Sequence, residues 1–201
     1  MPTIVVYGPR MGSSFRPHWM LAELGLSYET KELDMRSGEH RKPEFLAINP
    51  AGQVPVMVYD GFTLPESAAI VHYLAEKHDQ SFFGPMNAES HATVLRWEFF
   101  TLLNLDKNLA MLASKTWGMQ ITPEVEAKAN EDLGKRLPVL ESWLASHQYL
   151  AGDAFTVADI IARSSFNYAE AAGFDLSPYP SIKAWMDRCA ARPAYSKAKQ
   201  K

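Results

Sequence analysis

The sequence predicts two unequal domains, a small α/β unit in the order β-α-β-α-β-β-α followed by an all-α helical region. Two observations carry this prediction: strand and helix signals alternate as far as residue 80, and every periodic segment beyond Ala88 is helical. Between them Asp79–Asn87 (DQSFFGPMN) holds Gly84-Pro85, which interrupts both periods. Residues 79–87 are therefore expected as a linker, 1–80 as the first domain and 88–201 as the second. Thr3–Tyr7 (TIVVY) is a β-branched run stopped by Gly8-Pro9, which suits a buried strand. After the loop Gly8–Gly12, residues Phe15, Trp19, Leu21, Ala22 and Leu24 keep helical spacing until Gly25 closes it. Ser27–Leu33 reads as a second strand, and Pro43–Ala47 as a helical turn broken by Asn49-Pro50-Ala51-Gly52. Val54–Tyr59 (VPVMVY) is apolar, Asp60-Gly61 is a hairpin dipeptide leading into Phe62–Leu64, and Glu66–Lys77 returns to helical periodicity. In the second region helices are expected over 89–117, 123–147, 156–172 and 181–192. Thr122-Pro123 gives a helix start with proline in the first turn, and Thr156 with Asp159 forms a capping-box-like pair.

Composition narrows the function classes. With 47% hydrophobic and 21% charged residues among 201, the chain is neither disordered, collagenous nor a disulfide framework. Its 20 basic and 23 acidic residues leave a net charge of −3 and no polybasic footprint for nucleic acid or anionic lipid. No stretch approaches about 18 uninterrupted apolar residues, which excludes a transmembrane helix. MPTIVVYGPRMG lacks the basic and long apolar regions of a signal peptide. The expectation is a soluble, cytoplasmic protein that binds something small, with neither nucleic acid nor membrane as partner. The single cysteine, Cys189, rules out an intrachain disulfide and reads as a buried structural thiol. The histidines at 18, 40, 72, 78, 91 and 147 include no close pair, so no metal site is expected.

Three segments carry candidate chemistry. Val54-Pro55 places a proline at the mouth of a core-like strand, where it cannot donate to a ladder. If the bond is cis, Val54 turns its backbone N–H and C=O outward, free to pair with an extended peptide; the alternative is a proline that simply starts the strand. Glu66-Ser67 precedes a helical run, so its carboxylate and hydroxyl either grip an amino acid's ammonium and carboxylate or cap the helix. In the loop Met11-Gly12-Ser13-Ser14 a hydroxyl either caps the next helix or donates to a ligand thiolate held at the positive helix end. Lowering a free thiol from about 8.5 by two units favours the thiolate by roughly 2.7 kcal/mol. No G-x-S-x-G surrounds these serines and no His/Asp pair accompanies them, so a hydrolase nucleophile is excluded. His40 lies in the polar stretch Ser37–Lys42, and Trp97, Phe99, Phe100 and Trp117 give one helix either a core face or part of a cleft.

The segment Phe45–Lys77, FLAINPAGQVPVMVYDGFTLPESAAIVHYLAEK, closely resembles the glutathione-binding half of soluble glutathione transferases. N-P-x-G-x-V-P followed by D-G-x-x-L-x-E-S-x-A-I-x-x-Y-L is specific as a unit. The later G-D-x-F-T-V-A-D-I and R-P-A-Y resemble that family's helical-domain capping motif and C-terminal signature, so the match is collinear over nearly the whole chain. The resemblance implies a thioredoxin-like first domain, a helical-bundle second domain, a homodimer and a role in detoxification.

Residue by residue, the resemblance implies that Val54 pairs with the cysteinyl backbone of glutathione, that Pro55 is the cis proline, and that Glu66 and Ser67 hold the γ-glutamyl end. Gln53 and His40 fall where theta-like members contact the tripeptide. For thiol activation, the theta- and phi-like serine falls near Met11, which cannot donate. SSFRPHWML instead resembles a beta-like segment with Ser13 in place of its cysteine, and Tyr7 stands where alpha, mu and pi members keep a tyrosine. Ser13 ranks ahead of Tyr7 and Ser14, in a bacterial theta/beta-like member. Glutathione is then the co-substrate, and an apolar electrophile is expected against Phe99, Leu103 and Trp117, between the domains. The alternative is a non-catalytic interaction module on the same fold.

Overall fold

The computed structural model describes residues 2–200. It contains two compact units, Met1–Asp79 with Pro193–Lys201, and Gln80–Arg192. In the first unit β1 (Ile4–Tyr7) pairs parallel with β2 (Glu29–Lys31) and antiparallel with β3 (Val56–Tyr59), which pairs antiparallel with β4 (Phe62–Pro65). The sheet order is β2-β1-β3-β4, and helices α1 (Phe15–Glu23), α2 (Pro43–Leu46) and α3 (Ser67–His78) complete the expected β-α-β-α-β-β-α sequence. Asp60 and Gly61, at φ 46° and 84°, form the two-residue hairpin turn, and Asp60 Oδ1 accepts the Thr3 N–H at 2.8 Å. Fully buried Val6, Trp19, Met20, Leu21, Met57, Ile70 and Leu74 make the core between the sheet, α1 and α3.

Two boundaries differ from the sequence expectation. The second strand is three residues rather than Ser27–Leu33, because Tyr28 turns to Arg10 and His18 and the Asp34 side chain accepts the N–H groups of Arg36 and Ser37. The terminal segment, expected in the helical domain, forms α9 (Pro193–Lys199) and packs on α1 within the first unit. There Tyr195 meets Phe15 and Trp19 edge-on, at 5.3 and 4.9 Å between ring centres.

The second unit is helical: α4 (Ala88–Phe100), a π-helical stretch Thr101–Asp106, α5 (Lys107–Ser114), α6 (Pro123–Leu144), α7 (Val157–Ala172) and α8 (Pro180–Ala190). All of the expected linker but Asp79 is part of this unit. Gln80–Phe83 forms a 3₁₀ turn that buries Phe82 and Phe83, the former edge-on to Phe155. The expected single helix over 89–117 is interrupted by the π stretch, whose altered ladder is patched by Asn104 and Asn108. Their side-chain amides donate to the carbonyls of Phe100 and Asn104, at 2.9 and 3.2 Å.

Buried α7 packs against α4, α5 and α8. The capping box is present: Asp159 Oδ2 accepts the Thr156 N–H at 2.9 Å, while Oδ1 accepts from Leu150 N–H at 3.0 Å and Trp185 Nε1 at 2.8 Å. Burial pushes the Asp159 carboxyl up to about 6, although these bonds pull the other way. Cys189 is buried, and its thiol is held far above the usual range by burial and the nearby Asp159 charge, which makes it inert.

Candidate functional site

The site begins at a turn that one side chain holds. Asn49 is buried, donates from Nδ2 to the Gln53 carbonyl at 2.8 Å and accepts the Ala51 N–H at Oδ1 at 3.2 Å. Its carbonyl takes the Gly52 N–H at 2.9 Å. Gly52 has φ +61°, and a Cβ there would stand 3.1 Å from the His40 carbonyl, so the turn needs glycine. The chain then enters the cis Val54–Pro55 bond, and Val54 uses neither its N–H nor its C=O among the described residues. A strand-like donor and acceptor are thus left free beside β3. Sequence reasoning read Asn49 only as a helix breaker and missed its role as the clamp of this turn.

A cleft of about 710 Å³ opens beside this segment, with Ser13, Met35, His40, Arg41, Gln53 and Val54 on its walls. Four of the expected site residues, from three separate stretches of chain, therefore share one cavity. His40 accepts from Arg41 Nε at 3.3 Å through Nε2, and its Nδ1 is buried with no partner. Arg41, from the same polar stretch Ser37–Lys42, adds a cation to the wall.

Glu66 and Ser67 leave β4 next to the same segment, because Pro65 lies opposite Val56 in the β3–β4 ladder. Glu66 occupies φ 72°, ψ 110°, a conformation that costs a non-glycine residue on the order of 1–3 kcal/mol. It sits at the N-cap position of α3 without a capping hydrogen bond, and its side chain is exposed, so the plain capping alternative does not describe it. Ser67 is buried and its Oγ accepts from Arg16 Nη1 at 2.9 Å. Arg16 is only 2% exposed, a cation set inside the first unit behind the γ-glutamyl candidates. The signal that could have found it is an arginine on the buried stripe of α1, three and four residues before Trp19 and Met20.

Of the three activation candidates, only Ser13 lines the cleft, from the 3₁₀ turn Gly12–Ser14 that leads into α1. Ser14 is 2% exposed and packs on Gly8, where an added Cβ would come within 2.7 Å of Ser14 Oγ and 3.2 Å of Val54 Cβ. Tyr7 sets its ring against Phe45 at 6.0 Å with Lys31 Nζ over it at 5.4 Å. In the helical unit, Trp97 is fully buried core, whereas Phe99 and Leu103 are 57% and 76% exposed on a four-residue spacing with Leu95. Trp117 is 39% exposed and lies edge-on to Tyr168. Among the described residues, no helix is long and apolar enough to cross a membrane and no group of three His, Cys, Asp or Glu could hold a metal.

Comparison with known proteins identifies the family. The family model described as the glutathione S-transferase N-terminal domain matches residues 2–76, and the corresponding C-terminal domain model matches 105–193. A relative from Zea mays, glutathione S-transferase 3, is 34% identical over 98% of this chain and 93% of its own length. The crystal structure of a glutathione S-transferase from Pseudomonas fluorescens is 35% identical, with a TM-score of 0.86 over 95% of this chain and 96% of that one. The glutathione transferase URE2P6 from Phanerochaete chrysosporium, solved in complex with oxidized glutathione, is 28% identical with a TM-score of 0.85 over 98% of this chain and 94% of that one. With both domain models matched in order and relatives aligned end to end, the chain belongs to the glutathione S-transferase family.

Proposed function

We propose that this protein is a glutathione transferase that ionises the thiol of glutathione and directs it at a small hydrophobic electrophile. The observation that carries the reading is the cleft shared by Ser13, His40, Gln53 and Val54, with both Val54 backbone groups free. Those two groups suit an antiparallel pairing with the cysteinyl backbone of glutathione. The exposed Glu66 carboxylate suits the γ-glutamyl ammonium, and Ser67 with buried Arg16 behind it suits the α-carboxylate. His40 and Arg41 supply donors for the glycine carboxylate. Ser13, at the start of α1, donates its hydroxyl to the sulfur where the helix N–H groups also favour negative charge. The thiolate then forms a C–S bond to the electrophile, which loses its leaving group or takes up a proton, and Ser13 keeps its own.

A theta/beta-like class is supported by the SSFRPHWML segment, and Trp117 beside Tyr168 remains the electrophile residue of choice. Cytoplasmic location and a homodimer are supported by membership of the family alone. For the second copy, the stripe Leu95, Phe99 and Leu103 offers an exposed apolar face. A non-catalytic interaction module has no requirement for the free Val54 groups or the left-handed Glu66. Ultraviolet titration of bound glutathione tests the activation step. Ser13→Ala is expected to raise the pKa of the bound thiol by roughly 1–2, the loss of one charge-assisted bond, and to leave affinity nearly unchanged. A rise in Tyr7→Phe with none in Ser13→Ala would transfer the role to Tyr7.

A further inference from the structure

Ser13 follows directly on the loop Gly8–Gly12, and one side chain ties that loop to the rest of the first unit, Arg10. Its guanidinium donates to Tyr28 Oη at 2.5 Å, to Thr30 Oγ1 at 2.9 Å and to the Ala198 carbonyl at 3.3 Å, and it lies 5.3 Å from the Tyr28 ring centre. Thr30 is in β2, Tyr28 just precedes it, and Ala198 is in the last turn of α9, whose terminal carbonyls have no partner within the helix. The planar fork of arginine suits this three-way hold, and its charge suits a helix C-terminus.

The chain of contacts continues toward the site. Tyr28 Oη lies 3.1 Å from Nδ1 of fully buried His18. Burial, then the charge of Arg10, lowers His18 to about 4, with the Gly8 backbone acting in the opposite sense, so the ring is neutral near pH 7. Gly8, at the other end of the loop, is held by its N–H to the Lys31 carbonyl at 3.0 Å and is wedged against Ser14 and Val54.

We infer that Arg10, pinned by Tyr28, Thr30 and the C-terminal helix, is a positioning residue that sets the Ser13 loop for thiol activation. The helix α9, remote in sequence, thereby becomes part of the support of the reacting end of the site. This rests on the reading of Ser13 as the thiolate donor, and the test separates the two. Arg10→Gln removes the charge and the fork, and Tyr28→Phe removes only the hydroxyl while keeping the ring. In both, kcat at saturating glutathione is expected to fall roughly tenfold or more, since small misplacements of reacting groups carry costs of that order. The pKa of the bound thiol should rise, while KM for glutathione stays within about threefold because Val54, Glu66 and Ser67 are untouched. A merely structural role would lower the melting temperature and leave the bound-thiol titration unmoved, and that outcome overturns the inference. Ser13→Ala is run alongside. If it shifts the titration and the Arg10 and Tyr28 variants do not, the positioning role alone falls. If only the Arg10 and Tyr28 variants shift it, the loop is still set by Arg10 but another group of the loop donates. If none shifts it, both readings fall.

Discussion

The two units of this protein announce function in different ways. In the α/β unit the proposed site residues stand where the backbone leaves regular geometry: the Asn49 turn, the segment at Val54, the left-handed Glu66 and the 3₁₀ turn at Ser13. Each of these is written in a short run of residues whose stereochemistry permits little else, such as N-P-A-G or E-S after a hairpin. In the helical unit the same periodic apolar pattern serves core, surface stripe and ligand wall alike. Trp97 and Phe99, two residues apart, are fully buried and 57% exposed. Aromatic density therefore locates a helix but not a site, whereas the forced turns mark where the proposed site lies.

The sharpest way to test the contrast is to strike each unit at its most constrained carboxylate or hydroxyl. In the helical unit that is Asp159. Asp159→Ala leaves the Leu150 N–H, Trp185 Nε1–H and Thr156 N–H buried without their acceptor, and at about 1–3 kcal/mol for each such group the loss of stability should reach several kcal/mol. Denaturant unfolding should show it as a lower midpoint. The wild type carries a pH signature as well. Its folded value of about 6 lies above the ordinary carboxyl value of 3.8, so the native state binds the proton more tightly. The stabilisation is complete below about pH 4 and is lost as pH rises to 6, in total about 3 kcal/mol at 1.36 kcal/mol per tenfold change in proton affinity. Asp159→Asn should flatten stability between pH 4 and 6 relative to wild type. An unchanged slope would mean that the four hydrogen bonds fully offset the burial.

In the α/β unit the matching variant is Ser67→Ala, which removes a hydroxyl held between Arg16 and the proposed α-carboxylate. A bond to a charged group is worth about 1.5–3 kcal/mol, so glutathione affinity should fall roughly ten- to hundredfold by calorimetry. Equal affinity would remove Ser67 from the site. Asn49→Ala should act less strongly and at one remove. Without its two side-chain bonds the turn loses about 1–2 kcal/mol, and KM for glutathione should rise severalfold as Gln53 and Val54 loosen. If KM holds while stability drops, the turn supports the fold and not the ligand.

What the sequence made legible follows from the same physics. The order of elements in the first unit and the capping box of α7 were readable because turn residues and caps are local. Helix α9 was not assigned to the first unit, since Tyr195 and Ala198 give too short a stripe to say what it covers. The π stretch was invisible because a single insertion into the ladder leaves the apolar spacing nearly helical. Arg16 and Arg10 were missed for a shared reason. Charged residues are read as surface by default, and only the fold shows one beneath Ser67 and the other spanning β2 and α9.

The smallest expected effect bears on the ambiguous stripe of the helical unit. Leu103 is 76% exposed and Phe99 57%, so replacing both with serine gives up little burial within the chain, and the change in unfolding free energy should stay within about 1 kcal/mol, twice the usual bound for one surface substitution. A near-silent stability result is the control that makes the second measurement readable. If a second copy covers the stripe, light scattering should report twice 22.5 kDa for the wild type and a shift toward 22.5 kDa for the double variant. Loss of two large apolar side chains from an interface weakens association even where it leaves the single chain stable. If the mass is unchanged and KM for an apolar electrophile rises instead, the stripe is a substrate wall, as the aromatic pattern first suggested. Kinetics with glutathione varied at saturating electrophile should be unaffected in that case, because every residue proposed to hold the tripeptide lies in the other unit.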